Sequence, residues 1–260
     1  MNKNGECVIP IFQKIFLDQP EPIGSSVFIK LGNHYFLVSA AHVIEKFSQS
    51  NPLYTSVLND FYPITGEFSA SKYKESYKDI GLVRLNELTV DMLLSSDFEP
   101  LELIQLPKLE TTIKTDYFSV GYPASKVKVN RKDTTVKFQK INMMTKEVPL
   151  EIYDIFNFNR KQFFLFLFPK ETTEMKKVPL PFGMSGGALY LRYHLPQNSF
   201  IIILFGINIM NQKLPKTLPD INIALRAEFI VTLITQLYPE LTKYFNNAGY
   251  FGRILPNLSR

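Results

Sequence analysis

The chain has 260 residues, of which 45% are hydrophobic and 20% are charged, and its formal net charge is +5. This profile is typical of a globular protein and excludes a low-complexity or strongly charged disordered chain. The most apolar runs, 163–168 and 200–207, are far shorter than the roughly 20 residues of a membrane-spanning helix. We therefore expect a soluble protein without membrane contact.

Cys7 is the only cysteine, so no disulfide can form within the chain. A disulfide-free chain favours a reducing compartment. The N-terminus has a single lysine before Cys7 and no long apolar run behind it, so no signal peptide is predicted. Together these features predict cytoplasmic localisation.

The first half of the chain is predicted to be built from strands. Residues 26–30 and 34–39 form a hairpin around the turn residues 31–33, and the second strand leads into His42. Residues 79–85 are apolar on both faces after an initial acid, which is typical of a buried strand. The acidic stretch 86–110 is predicted to be an irregular connector.

The second half continues the strand pattern until its last segment. Residues 126–141 alternate valine or phenylalanine with lysine and predict a half-exposed hairpin. From 226 to about 245 the apolar residues recur at helical spacing, and Pro239 is expected to kink or divide this helix. The tail from 246 is expected to be irregular. The other predicted strands are 117–123, 162–168, 187–193, 200–208 and 221–225.

Many short strands and one terminal helix predict an all-β protein. The two halves are alike in kind, and we infer two small antiparallel barrels with a cleft between them. The predicted domains are an N-terminal barrel of residues 1–110, a C-terminal barrel of 111–225, and a helix and tail of 226–260 packed on the second barrel.

A motif between residues 181 and 188, Pro-Phe-Gly-Met-Ser-Gly-Gly-Ala, carries the first chemical signal. Glycine permits a turn in which backbone N–H groups converge beside the Ser185 hydroxyl. A hydroxyl with such donors suits acyl transfer, because the donors hold the oxyanion that forms. The same motif also fits a glycine-rich turn into a strand.

A serine nucleophile needs a base, and the chain has three histidines. His34 lies at a hairpin turn, and His194 ends the strand that leaves Ser185. His42, at a bend after an apolar strand, is the best candidate, although such a histidine can be structural. Asp79 opens a buried strand and needs a partner there, and an imidazole N–H is suitable. The alternative is a carboxylate that caps the strand.

These pieces resemble the signature segments of trypsin-like (chymotrypsin-fold) serine peptidases, in the family's order of His, Asp and Ser. The resemblance covers residues 23–230 and is closer to the bacterial-type, disulfide-free members than to the secreted zymogens. The segments that carry it are 39–43 (Ser-Ala-Ala-His-Val), 79–83 (Asp-Ile-Gly-Leu-Val) and 183–187 (Gly-Met-Ser-Gly-Gly), with 121–123 and 205–207 in support.

The resemblance implies two six-stranded barrels, the first with the catalytic histidine and aspartate, the second with the nucleophile. It makes Ser185 the nucleophile, His42 the general base and Asp79 the residue that orients the imidazole. The N–H groups of Gly183 and Ser185 form the oxyanion hole. We expect no cofactor and no metal, because the sequence has no cluster with metal-ligand spacing and no phosphate-binding glycine loop.

The chain departs from the secreted members at two places. Met184 stands where those that are activated by cleavage carry aspartate, so no activation by N-terminal cleavage is expected. No acid lies at the expected base of the specificity pocket, which predicts a small or medium uncharged residue at the cleavage position rather than Lys or Arg. The residues assigned to this pocket are Pro179, Leu180, Ile209, Met210 and Asn211.

Other classes fit the sequence less well. The Gly-x-Ser-x-Gly elbow of α/β-hydrolases requires an acid and then a histidine after the serine, and only His194 follows Ser185. A protein of this fold that is latent or non-catalytic, and binds a protein partner, is the alternative to a peptidase. In either case we hypothesise that a protein partner activates or targets this chain.

Nucleic-acid binding is the third class considered. Six basic residues cluster in the predicted hairpin and the sequence pI is about 9.0, but a charged face on an exposed hairpin is the more usual explanation. We therefore do not expect nucleic acid as a partner. The basic residues are Lys126, Lys128, Arg131, Lys132, Lys137 and Lys140.

Overall fold

A computed structural model shows that the chain is dominated by antiparallel strands, arranged in two large sheets and one small hairpin. The residues that it describes are 6–15, 19–48, 50–57, 60–70, 79–105, 113–129, 136–168, 181–196, 199–212, 220–245 and 249–255.

Seven strands make the first sheet. They are β1 (Val8–Ile15), β2 (Gln19–Leu31), β3 (His34–Ser39), β4 (Leu53–Val57), β5 (Asp60–Pro63), β6 (Gly66–Ala70) and β7 (Gly81–Leu85). Their spatial order is β5-β4-β1-β2-β3-β7-β6. Only two residues separate β5 from β6, so together they form one bent strand. Its first part pairs with β4 and its second part pairs with β7. The sheet therefore closes into a six-stranded barrel, called here the first barrel.

The second sheet has the order β12-β9-β14-β15-β16-β13. Its strands are β9 (Thr115–Gly121), β12 (Ile141–Thr145), β13 (Phe163–Leu167), β14 (Ala188–His194), β15 (Phe200–Gln212) and β16 (Ile221–Arg226). Backbone bonds from Val148 to Leu165 (3.0 Å) and from Leu167 to Lys146 (3.1 Å) join its two ends. These bonds close a six-stranded second barrel.

Three features lie outside this closed path. Strands β10 (Val127–Val129) and β11 (Val136–Phe138) pair as the hairpin that the sequence predicts. Strand β17 (Tyr250–Leu255) pairs with β15 and with β8 (Glu102–Ile104). The expectation of an irregular tail is therefore wrong for residues 250–255, because the β15 edge offers unpaired backbone groups that β17 satisfies.

Four α-helices are described: α1 (Ala41–Ile44), α2 (Glu87–Ser95), α3 (Leu150–Ile155) and α4 (Glu228–Leu237). Helix α2 lies in the stretch expected to be irregular, and Asn86 begins it by accepting the N–H of Thr89 at 3.1 Å. Helix α4 ends before Pro239, where a 3₁₀ helix follows, as predicted. Among the described residues, no helix has the length and apolar character needed to cross a membrane.

The core is aromatic inside the second barrel and continuous between the barrels. Phe164, Tyr117 and Phe205 have their ring centroids 4.6–5.1 Å apart, although they come from three different strands. A larger buried cluster runs through the first barrel and across to the outer face of β9, β14 and β15. The all-β prediction with two six-stranded barrels and a C-terminal helix is thus confirmed.

Candidate active site

A single helical turn presents His42 at the end of β3. The chain is extended at Ala40, and α1 then begins at Ala41. Ala41, Val43 and Ile44 are buried, whereas 43% of the His42 side chain is exposed. Because its neighbours are anchored in the core, the imidazole is left at the surface of the first barrel.

Asp79 is buried directly beneath this histidine and contacts it twice. Its Oδ1 accepts the backbone N–H of His42 at 2.9 Å, and its Oδ2 lies 2.6 Å from the ring Nδ1. An ionised carboxylate only accepts hydrogen bonds, so chemistry assigns the proton to Nδ1 and the lone pair to Nε2. The pair has the form required of a base and an acid that orients it.

Ser185 lies in a tight turn between two glycines with positive φ, Gly183 at 89° and Gly186 at 84°. The turn is closed by bonds from the Met184 N–H to the Pro181 oxygen and from the Gly187 N–H to the Met184 oxygen, both 2.9 Å. L-residues with side chains rarely adopt such φ values. The sequence therefore has glycine at the two positions where the turn needs it.

A hydrogen bond on the preceding residue, Phe182, sets the direction of the Gly183 N–H. The Phe182 carbonyl accepts the N–H of Ala124 at 2.8 Å, and in a trans peptide the N–H points opposite to the C=O. The Gly183 N–H is therefore directed away from Ala124. In the described part of the chain, neither this N–H nor that of Ser185 is bonded to an acceptor.

The Ser185 turn and the helical turn that carries His42 both pack against β2 of the first barrel. The Ser25 N–H donates to the Ser185 carbonyl at 2.8 Å. A Cβ added to Gly24 would lie 2.7 Å from a methyl group of Val43 and 3.0 Å from the Ser185 oxygen. The residue that follows His42 and the residue with the hydroxyl therefore pack against the same glycine.

The structure joins His42 to Asp79 but gives no hydrogen bond between the Ser185 hydroxyl and the His42 ring among the residues it describes. Such bonds are often long in the absence of substrate.

Comparison with known proteins identifies the architecture. No protein-family model and no curated protein match the sequence. A solved structure of a scabies mite inactivated protease paralogue aligns with a TM-score of 0.54 at 14% identity, covering 90% of this chain and 94% of that one. Kallikrein-related peptidase 10, in complex with Zn²⁺, aligns with a TM-score of 0.52 at 12% identity, covering 91% and 96%.

The chain has the chymotrypsin fold. This confirms the fold that the three sequence segments implied. At such low identity the likeness shows the fold alone, and it does not separate bacterial-type from secreted members of the family.

Three residues that hold the turn in this chymotrypsin fold were missed by the sequence analysis. Ser25 and Ser39 come from the first barrel, and the Ser39 hydroxyl donates to the Ser25 carbonyl at 2.7 Å. Asn208 of β15 exchanges backbone bonds with Gly186 (2.6 Å) and Gly187 (2.8 Å). The available signal was that each is a polar residue within an apolar strand.

The predicted specificity pocket is described in part. Ile209 is buried, and Met210 and Asn211 are half-buried on β15. The Asn211 side chain donates to the Asn222 amide oxygen at 2.8 Å and to a backbone carbonyl of β16 at 3.1 Å, so it is held against β16. Pro179 and Leu180 lie outside the described residues.

Met184 points into an apolar cluster with Ile141, Met143 and Phe168. An aspartate at this position would need a cationic partner, which none of these three neighbours supplies. The surroundings of residue 184 therefore differ from those expected when a new N-terminus forms a buried ion pair.

The hairpin of β10 and β11 and the residues beside it carry the basic side chains that the sequence analysis singled out. Lys128 and Lys137 stand opposite each other on β10 and β11, and Lys140 pairs with Glu6. Arg131 and Lys132 lie outside the described residues.

No group of three or more potential metal ligands occurs within the described part of the chain.

Proposed function

We propose that this protein is a serine endopeptidase, with Ser185 as nucleophile, His42 as general base and Asp79 as the acid that orients it. One observation carries the proposal: Val43, which follows the Asp79-bonded His42, packs against Gly24 of β2, and the carbonyl of Ser185 lies against the same glycine. The chymotrypsin fold supports it as an analogy of architecture.

The proposed reaction has two steps. The Ser185 oxygen attacks the peptide carbonyl, and the proton of the hydroxyl passes to Nε2 of His42. The C–N bond then breaks, and the leaving amine takes that proton. A water molecule attacks the acyl-enzyme, gives a proton to His42, and releases the new carboxyl group as Ser185 recovers its proton.

Two groups would stabilise the charges that arise on this path. Asp79 accepts from Nδ1 and so stabilises the imidazolium at each proton transfer. The N–H groups of Gly183 and Ser185 would bind the oxyanion, and one such donor typically lowers the barrier by about 3 kcal/mol. Neither contribution needs a cofactor.

The proposal includes a preference for small or medium uncharged side chains at the cleavage position. We assign Met210 and Asn211 to the wall of the specificity pocket, where their side chains would narrow it, and Asn211 is held in place by β16. A cleavage profile dominated by Lys or Arg would contradict this preference.

We also propose activity without proteolytic activation, on the ground that Met184 lies in an apolar cluster. The protein should react with an active-site probe as synthesised. Reactivity that arises only after a cut near residue 20 would overturn this part of the proposal.

A non-catalytic or latent protein that binds a partner is the second candidate. It is favoured by the lack of a bond between the Ser185 hydroxyl and His42 among the described residues. On this account an activating partner would bring the Ser185 hydroxyl into contact with the His42 ring. The protein would then cleave peptides only after that partner had been added.

Incubation with a peptide library, followed by mass spectrometry of new termini, tests the proposal. Wild type should cleave and Ser185→Ala should not. Cleavage at equal rates by both would show a contaminating peptidase and contradict the assignment of Ser185.

A further inference from the structure

Ser25 is a fully buried residue of the first barrel, and it makes four hydrogen bonds to other described residues, three of which cross to the second barrel. Its N–H donates to the Ser185 carbonyl, and its carbonyl accepts from the Ser39 hydroxyl. Its own hydroxyl donates to the Gly183 carbonyl at 3.0 Å and accepts the Tyr122 N–H at 3.0 Å.

The hydroxyl joins two segments that set the direction of the Gly183 N–H. One is the turn itself, through the Gly183 carbonyl. The other is the segment after β9, where Tyr122 precedes Ala124 by two residues and Ala124 holds the Phe182 carbonyl. Rotation of the Phe182–Gly183 peptide would break the bond between Ala124 and Phe182, and the Ser25 hydroxyl holds together the two segments that make this bond.

The backbone of Ser25 also connects the turn to the histidine segment. A Cβ on Gly186 would lie 1.9 Å from the Ser25 carbonyl oxygen and 2.0 Å from the Ser39 Oγ, which shows how closely these atoms pack. Ser39 ends β3, three residues before His42. Ser25 therefore touches both the segment that carries the base and the turn that carries the hydroxyl.

We propose that the Ser25 hydroxyl is a positioning group that keeps the oxyanion hole formed in the absence of substrate, an inference that rests on the proposed peptidase function. It does not touch the substrate. It acts through Gly183 and Tyr122, whose buried C=O and N–H would lose a bonding partner in its absence.

The test compares Ser25→Ala with Ser26→Ala. Ser26 is the next residue of β2, is also fully buried, and its hydroxyl donates to the Ile9 carbonyl within the first barrel at 3.4 Å. The probe is a fluorophosphonate, which Ser185 attacks with loss of fluoride, and whose phosphoryl oxygen needs the same two N–H donors. Labelling is followed by intact mass at several probe concentrations and pH values.

Ser25→Ala should lower the limiting labelling rate by about 10- to 100-fold, with a smaller change in the half-saturating probe concentration. The pH midpoint of labelling should stay at the wild-type value, because His42 and Asp79 are untouched. Ser26→Ala should label as wild type does. A limiting rate for Ser25→Ala within twofold of wild type, or an equal fall in both variants, would overturn the proposal.

Backbone hydrogen exchange gives a readout that does not depend on activity. In Ser25→Ala, exchange should quicken in peptides that cover 119–124 and 181–187, and Ser26→Ala should leave both unchanged. Unchanged exchange in Ser25→Ala would also overturn the proposal. If folded wild type shows no labelling, the peptidase assignment itself has failed. There is then no catalytic oxyanion hole for Ser25 to support.

Discussion

At the residue scale, the Asp79 carboxylate is almost completely removed from water, yet both of its oxygens have hydrogen-bond donors. Burying a carboxylate is costly unless such donors compensate. The His42 backbone and ring supply them, so the same contacts that make the buried acid tolerable also fix the orientation of the imidazole.

Asp79→Asn should lower the fluorophosphonate labelling rate by about 10⁴-fold at neutral pH, because an amide NH₂ beside Nδ1 favours the wrong tautomer of His42. The rate is measured by intact mass. Asp60→Asn, at an exposed position of β5, should label normally. A loss of less than tenfold in Asp79→Asn would show that Asp79 does not orient the base.

Gly186 combines a positive φ with a close approach to the first barrel. Gly186→Ala should destabilise the fold by more than about 2 kcal/mol, since the turn must shift away from Ser25. Urea denaturation measures the effect. Gly249→Ala is the comparison, because its added Cβ would lie 3.3 Å from the Ile104 oxygen, a tight contact that a shift of a few tenths of an ångström would relieve, and its φ is not positive. Equal stability of the two variants would argue against the close packing.

Most residues of the candidate site could be proposed from the sequence, because the chemistry expected of them depends on residue type. Three histidines and one glycine-bounded serine leave few combinations, and chain order excluded the α/β-hydrolase alternative. Ser25 could not be predicted, because its hydroxyl bonds to a residue 158 positions away. Only the folded chain places a strand serine against that turn.

At the element scale, β17 fills the space between β15 and β8, and its residues alternate. Phe251 is buried, with its ring against Phe245, whereas Tyr250 is 44% exposed. The sequence did not predict this strand, because Gly249 directly before it and Gly252 within it are residues typical of loops. Gly252 is required there, since a Cβ would lie 2.5 Å from the Ile202 oxygen.

Phe251→Ala should cost about 3 to 5 kcal/mol of stability, the usual range for a buried phenylalanine. Tyr250→Ala, on the other face of the same strand, should cost less than about 1 kcal/mol. Thermal and urea unfolding of the two variants measure this contrast. Similar losses in both would mean that β17 does not pack by strand alternation.

Elements with strong periodicity were predicted and those without it were missed. The apolar spacing of α4 and the break at Pro239 were readable because proline has no N–H to continue a helix. Helix α2 has only nine residues, and its burial is limited to Thr89, Val90 and Leu93. Its capping by Asn86 was a usable signal that the acidic composition obscured.

At the scale of the whole molecule, the residues of the candidate site come together where the two barrels meet. The first barrel supplies His42, Asp79 and Ser25, and the second supplies Ser185 and its turn. Backbone and hydroxyl bonds of Ser25 cross the boundary directly. A substitution that destabilises one barrel should therefore lower the rate of fluorophosphonate labelling even while the other barrel remains folded.

A second His–Asp contact, between Asp116 of β9 and His194 at the end of β14, makes the stability of the protein depend on pH. Burial raises the pKa of Asp116, but hydrogen bonds from Arg192 and His194 outweigh it and lower the pKa below its ordinary value. Because the folded-state pKa lies below the unfolded one, the contact stabilises the protein above about pH 4. This contribution is lost as pH falls through the folded-state pKa.

Asp116→Asn should therefore lower the melting temperature at pH 7, and its difference from wild type should shrink as pH falls below about 4. Asp91→Asn, at an exposed position of α2, serves as the control and should follow wild type. A difference for Asp116→Asn that is the same at pH 7 and pH 3 would contradict this account of the contact.

The central claim is that Ser185 is a nucleophile activated by His42. The most direct measurement is intact-mass analysis after fluorophosphonate treatment of wild type, Ser185→Ala and His42→Ala, each shown to be folded. The account predicts one adduct on wild type and none on either variant. An unlabelled, folded wild type, or an adduct that persists in Ser185→Ala, would contradict it.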